Sequence, residues 1–152
     1  MPPTATIHEV VALLRGPRFR VRTALWLAPP DVVGHEPDAA ARLGLDAADA
    51  RRPILDALDP DSRFVGLDPD RIIAALDAIA TGPHRTDCAL VYNLDLLVAR
   101  LPHQARDAFW DTLCRGFPHR RALLLTVPRT AEALLPPDSA LDPWRRDGRL
   151  AE

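Results

Sequence analysis

The chain has 152 residues, 47% of them hydrophobic and 26% charged, and a formal net charge of −2. This length predicts one domain over 1–152, with about two thirds of the unfolded surface buried around a single core, and the composition argues against intrinsic disorder. The charge argues against nucleic-acid binding driven by bulk charge and leaves room only for a local basic patch.

Residues 6–15 predict a helix. Thr6 and Glu9 have capping-box spacing, Ile7, Val10, Val11 and Leu14 recur on one face, and Gly16-Pro17 stops the run. A strand follows over 18–28, with Arg18, Arg20 and Arg22 alternating against Phe19 and Val21 before "TALWLA" becomes wholly apolar. Beyond the loop "PPDVVGHEP", Asp38 is placed to cap a short helix ending at Gly44, and Asp49 to cap another reaching Leu58. "RFVGL" reads as a short strand. A helix begins at Asp68, has Pro69 at its first position, buries Ile72, Ile73, Leu76 and Ile79, and ends at Gly82-Pro83.

Residues 88–92 form the next apolar strand, followed by a helix burying Leu94, Leu97, Val98 and Leu101. Residues 103–115 predict a helix with Phe109 and Leu113 inward. "RALLLTVP" over 121–128 is the third strong strand, and "TAEALLP" is a short helix that Thr130 can cap. Trp110 and Trp144 read as core or interface residues. The tail "DPWRRDGRLAE" offers a turn at Asp147-Gly148 and a last strand. Wholly apolar strands separated by helices predict a three-layer α/β fold, a mostly parallel sheet flanked by helices.

No apolar run is long enough to cross a bilayer, and "MPPTATIHEV" lacks the pattern of a secretion signal, so the expected location is cytoplasmic with no membrane partner. Cys88 and Cys114 read as reduced packing residues. Every residue in the Lys+Arg count of 19 is arginine. The absence of lysine removes Schiff-base chemistry, a lysine base and the lysine of a phosphate loop, while arginine can still clamp phosphate or carboxylate. No metal site is expected. His35 in "HEPDA" lacks the second histidine of a zinc-protease helix, and His8, His84, His103 and His119 show no ligand spacing. No G-x-S-x-G occurs around Ser62 or Ser139, and neither cysteine carries the local signature of a nucleophile. No catalytic residue and no cofactor is therefore assigned.

In open parallel sheets, ligands collect beyond the carboxyl ends of the strands. The residues there are Pro29, Pro30 and Asp31, then Tyr92, Asn93 and Asp95, then Pro128, Arg129 and Thr130. The structural alternative for Asn93 and Asp95 is helix capping and a first-turn carboxylate.

The strands "TALWLAPP", "CALVYNLDLL" and "RALLLTVPRT" resemble, in order, the phosphate-loop, acidic and sensor strands of a P-loop ATPase core of the AAA or STAND sort. The likeness covers about 23–135. The layout "LGLDAAD...LDPDRIIAALDAIA...ALVYNLDLL" is similar to the small P-loop proteins of BREX-type bacterial phage-defence systems. The resemblance implies a nucleotide crevice at Pro30, Asp31, Tyr92, Asn93, Asp95, Arg129 and Thr130. The sequence departs from it where chemistry is needed. "APPDVVGHEPDA" has prolines and carboxylates in place of glycines, lysine and a hydroxyl, and Tyr92 stands where the family holds a metal with Asp. Asp95 keeps the place of the second acidic residue.

A degenerate, non-catalytic subunit follows as the expected function, one that binds a protein partner in a nucleic-acid-handling complex such as a phage-defence system. The alternative is a nucleotide-binding or weakly hydrolysing NTPase with arginine in place of the missing lysine. The third reading is DNA binding by the Arg18, Arg20 and Arg22 face; with Arg15 these form a candidate patch for nucleic acid or an acidic partner, and the alternating arginines equally fit an edge strand guarded by charge.

Overall fold

The computed structural model describes residues 5–16, 22–61, 66–115 and 121–152. Five strands, β1 (Thr23–Ala28), β2 (Asp46–Asp49), β3 (Cys88–Tyr92), β4 (Ala122–Pro128) and β5 (Leu150–Ala151), form one sheet in the order β2-β3-β4-β1-β5. Every pairing is parallel. Ala5 adds a parallel bridge to Ala151. The wholly apolar runs of β1 and β4 have a direct cause. They lie inside the sheet, are covered on both faces, and bury every residue of "TALWLA" and all but the last of "ALLLTVP".

Helices α1 (Ile7–Arg15) and α2 (Glu36–Leu43) cover one face, packing Val10, Val11, Leu14, Ala39 and Ala40 on Ala24, Trp26, Leu90 and Leu124. The other face carries α4 (Pro69–Thr81), α5 (Leu94–Val98), α6 (His103–Arg115) and α7 (Asp138–Arg146), with Ile72, Leu76, Leu97, Phe109 and Trp144 against Leu25, Val91, Leu123 and Leu125. The short α3 (Arg52–Asp56) adds Ile54 to that layer. The result is a three-layer α/β fold, consistent with a P-loop-like arrangement. The chain leaves β1 through α2 on one face and crosses to the far edge at β2. It then returns strand by strand through helices on the opposite face. This reversal places a crevice at the carboxyl ends of β1 and β4.

The capped helices begin where their sequences indicate. Thr6 Oγ1 accepts from the Glu9 amide, Glu9 returns a bond to the Thr6 amide, and Asp68 accepts from the Arg71 amide. Five elements differ from the expectations. Asp49 ends β2 instead of capping a helix, its carboxylate accepting from the Arg51 amide and guanidinium. Asp38 lies in the first turn of α2, with His35 at the cap position. The segment after β4 is a 3-10 helix, Arg129–Leu134, entered from Pro128 with no side-chain cap from Thr130. The tail contains α7, a helix around Pro143 that buries Leu141 and Trp144. The helix after β3 stops at Val98, short of the buried Leu101. The expected strand "RFVGL" falls on 63–65, outside the described residues, while Gly66 and Leu67 carry no regular structure; residues 18–21 also lie outside, and β1 begins at Thr23.

Two buried arginines connect the layers. Arg149 donates to the carbonyls of Thr23 at 2.6 Å and Cys114 at 3.1 Å, and its guanidinium lies 4.4 Å from the Trp144 ring centroid. Arg121 donates to the carbonyls of Thr86 and Ile79, both at 3.2 Å, and pairs with Asp46. In each case a fixed fork of N–H donors reaches partners on several elements.

Candidate functional site at the carboxyl ends of the strands

The turn after β1 is closed by its own backbone. The Val32 amide donates to the Pro29 carbonyl at 3.0 Å and the His35 amide to the Val32 carbonyl at 2.8 Å. Pro29, Pro30 and Pro37 have no N–H to offer. Two amides of the turn are thus committed to its own carbonyls, and its prolines supply none. Pro30 and Asp31 are exposed in this turn. Helix α2 then opens with Glu36 and Asp38, so its positive end is already met by carboxylates.

Glu36 is buried, and its charge acts on both Tyr92 and Asp95. Burial, reinforced by Glu36, raises the pKa of Asp95; burial, with Asp49 and Glu36, raises that of Tyr92. A phosphate entering here meets negative potential and few donors.

Asn93 takes a left-handed backbone conformation, with φ of 62°, which asparagine tolerates better than most residues. Its side chain does not cap α5. Instead Nδ2 donates to Asp49 Oδ2 at 3.1 Å, joining the end of β3 to the end of β2. Burial disfavours the charged form of Asp49, but the bonds from Arg51 and Asn93 together outweigh it and hold the carboxyl below its usual range. Asp95 sits half-buried in the first turn of α5, and α5 packs against the 3-10 helix that carries the exposed Arg129 and Thr130. The structure therefore brings the elements of Asp95 and Arg129 together, with Pro30 and Asp31 in the separate turn on the α2 side.

A cavity of about 450 Å³ opens beside Leu27 of β1 and Glu152 after β5. Its Arg145 is already engaged by Asp138 and Asp142 at 3.4 Å and by Glu152 at 3.8 Å. Arg106, on the same wall, donates to the carbonyls of Ala133 and Leu101. Both guanidiniums thus bond protein acceptors, through the two terminal nitrogens in Arg106, whose Nε has no partner among the described residues.

Of the predicted arginine patch, Arg15 and Arg22 lie at the opposite, amino end of the sheet. Arg15 donates to the Gly44 carbonyl and pairs with Asp87 at 3.2 Å, while Arg22 donates to the Leu14 carbonyl at 3.3 Å. These two fasten α1 to its neighbours. Arg18 and Arg20 lie outside the described residues. Among the described residues no group of three or more His, Cys, Asp or Glu side chains could hold a metal ion. Cys88 is buried, which pushes its thiol up to about 12, and no helix among the described residues is long and apolar enough to cross a membrane.

Sequence reasoning places Glu36 among the carboxylates of the turn after β1 and Asp49 at a helix cap, but misses their reach to Tyr92, Asn93 and Asp95, which arises from the path of α2 and the pairing of β2 with β3. Comparison of the chain with protein families, curated proteins and solved structures finds no match.

Proposed function

We propose that this chain is a non-catalytic, P-loop-like accessory subunit that binds a protein partner within a nucleic-acid-handling complex, with bacterial phage defence as its setting. The observation that carries this reading is the turn from Pro29 to Glu36. It occupies the place where the resemblance expects a phosphate cradle, bonds its Val32 and His35 amides to its own carbonyls, and ends at a buried carboxylate. Phosphoryl transfer depends on positioning and electrostatic stabilisation of phosphate oxygens. A crevice containing Glu36 and Asp95, in a chain without lysine, opposes both requirements.

Titration calorimetry with ATP and GTP, with and without magnesium, tests the reading. No heat of binding is expected at micromolar to millimolar nucleotide. Magnesium-dependent binding in the micromolar range would overturn it in favour of an NTPase that uses arginine. Affinity purification from the native host, read by mass spectrometry, is expected to recover a stoichiometric protein partner. Recovery of DNA in place of protein would favour the arginine-patch reading.

A further inference from the structure

One edge of the sheet is β2, whose outer side pairs with no strand among the described residues and borders a cavity of about 890 Å³. All four β2 residues line this cavity, facing Pro53 and Leu55 of α3 and Ile79 of α4. Leu55 is 53% exposed, unusual among the large apolar side chains of this chain.

Backbone direction follows from the bonds on the inner side. The Asp46 amide donates to Thr86 Oγ1 at 3.1 Å and the Ala50 amide to the Tyr92 carbonyl at 2.9 Å, both toward β3. Because a strand sends alternate residues' N–H and C=O groups to opposite sides, Ala47 and Asp49 direct theirs outward. Ala47 is exposed and has no bulky side chain to shield them.

Charge selects what could pair there. Asp46 is held by Arg121 and by the Arg85 amide at 2.8 Å, and Asp49 by Arg51 and Asn93. Arg52 and Arg85 are exposed and, among the described residues, their side chains have no acidic partner. Arg85 stands by the start of β2 and Arg52 just past its end, and the four residues of the strand between them span roughly 10–13 Å at about 3.3 Å per residue. Asp56, at the end of α3 on the same rim, is exposed and has no ion-pair partner among the described residues.

We propose that the outer edge of β2 is the docking site for an extended segment of a partner protein, added as a further strand, with acidic side chains four residues apart that meet Arg85 and Arg52. Side chains at that spacing share one face of a strand, so both can reach the rim while the main chain bonds Ala47 and Asp49. A second copy of this chain fits poorly. Antiparallel pairing of two β2 edges sets the Arg52 end of one against the Arg85 end of the other, cation facing cation twice. The proposal deepens the partner-binding reading and rests on it for its biological sense.

The test uses the full chain and fluorescence anisotropy with a labelled synthetic peptide, Val-Thr-Val flanked by two glutamates, beside its lysine-flanked counterpart. The acidic peptide is expected to bind at least about tenfold tighter. Ala47→Pro removes one outward N–H at an edge where proline is tolerated, and is expected to weaken binding about tenfold with an unchanged circular dichroism spectrum. The double variant R52E/R85E alters only exposed side chains and is expected to reverse the preference between the peptides; it carries the test if Ala47→Pro does not fold. Equal or absent binding of the two peptides, or affinity unaltered by R52E/R85E, would overturn the proposal. A concentration-dependent dimer in sedimentation velocity that Ala47→Pro abolishes would overturn it in favour of self-pairing. Partner recovery from the native host that survives both variants would refute the β2 edge and leave the accessory-subunit reading intact. No recovered partner, with peptide binding as expected, would refute that reading and leave the edge.

Discussion

Arg121 and Asp46 show how a single charged pair sets both packing and pH response. Arg121 is buried at the start of β4 and reaches Asp46 at the start of β2, two strands away. Removing one partner leaves the other poorly solvated, so Arg121→Met is expected to cost about 2–3 kcal/mol in urea denaturation at neutral pH, at or below the bottom of the buried-pair range because Asp46 is partly exposed. Burial raises the pKa of Asp46, but the amides of Arg85 and Thr86 and the Arg121 charge outweigh it and leave the carboxyl depressed. A depressed carboxyl contributes stability that is present above its unfolded pKa and is lost as pH falls through the folded value. Wild type and Arg121→Met should therefore converge in acid. Asp95 has the opposite sign. Burial, aided by Glu36, raises its pKa, so its charged form costs stability once pH rises through the folded value. Asp95→Asn is expected to raise the melting temperature at neutral pH, with the gain vanishing near about pH 3, where both states are protonated. A lower melting temperature at neutral pH would show that the carboxylate is needed in its charged form.

Helix α1 is fixed by signals that lie within a few residues of one another. Thr6→Ala removes the hydroxyl that accepts from the Glu9 amide and should cost about 1 kcal/mol, read as a lower urea midpoint with an unchanged slope. The same locality explains which elements the sequence reveals. α1, α4 and α6 carry their own caps or periodic faces, and β1, β3 and β4 announce themselves by apolar runs because both faces of the sheet are covered. The strand β2 gives no such signal. "DAAD" is an edge strand with one exposed and three half-buried residues, and its aspartates satisfy the turn-forming pattern that suggests a cap. α7 is hidden by Pro143, whose local preference is overridden by burial of Leu141 and Trp144. The candidate crevice divides the same way. Asn93 and Asp95 are visible as polar residues interrupting an apolar run, whereas Glu36 and Asp49 reach that neighbourhood only through the crossover from β1 and the pairing of β2 with β3.

At the scale of the whole molecule, β4 is the central strand on which both helical layers rest. Its alternate side chains divide between them, with Leu123, Leu125 and Val127 facing the α4 to α7 layer and Ala122 and Leu124 facing α1 and α2. The tryptophans divide likewise, Trp26 in the α1 and α2 layer and Trp110 and Trp144 in the other. This placement makes fluorescence a separate probe of each layer. In wild type all three residues contribute to the unfolding signal; in Trp26→Phe only the larger layer reports. Since both layers share every strand of one sheet, neither can lose its floor without the other, and the two signals are expected to give coincident urea midpoints. Leu124→Ala sharpens the test by opening a cavity in the α1 and α2 layer alone, at a cost of about 2–5 kcal/mol. The midpoint reported by Trp110 and Trp144 in a Leu124→Ala, Trp26→Phe background should fall by as much as the one that includes Trp26. Separate transitions would show that α1 and α2 melt from the sheet on their own, and that the turn from Pro29 to Glu36 opens without global unfolding.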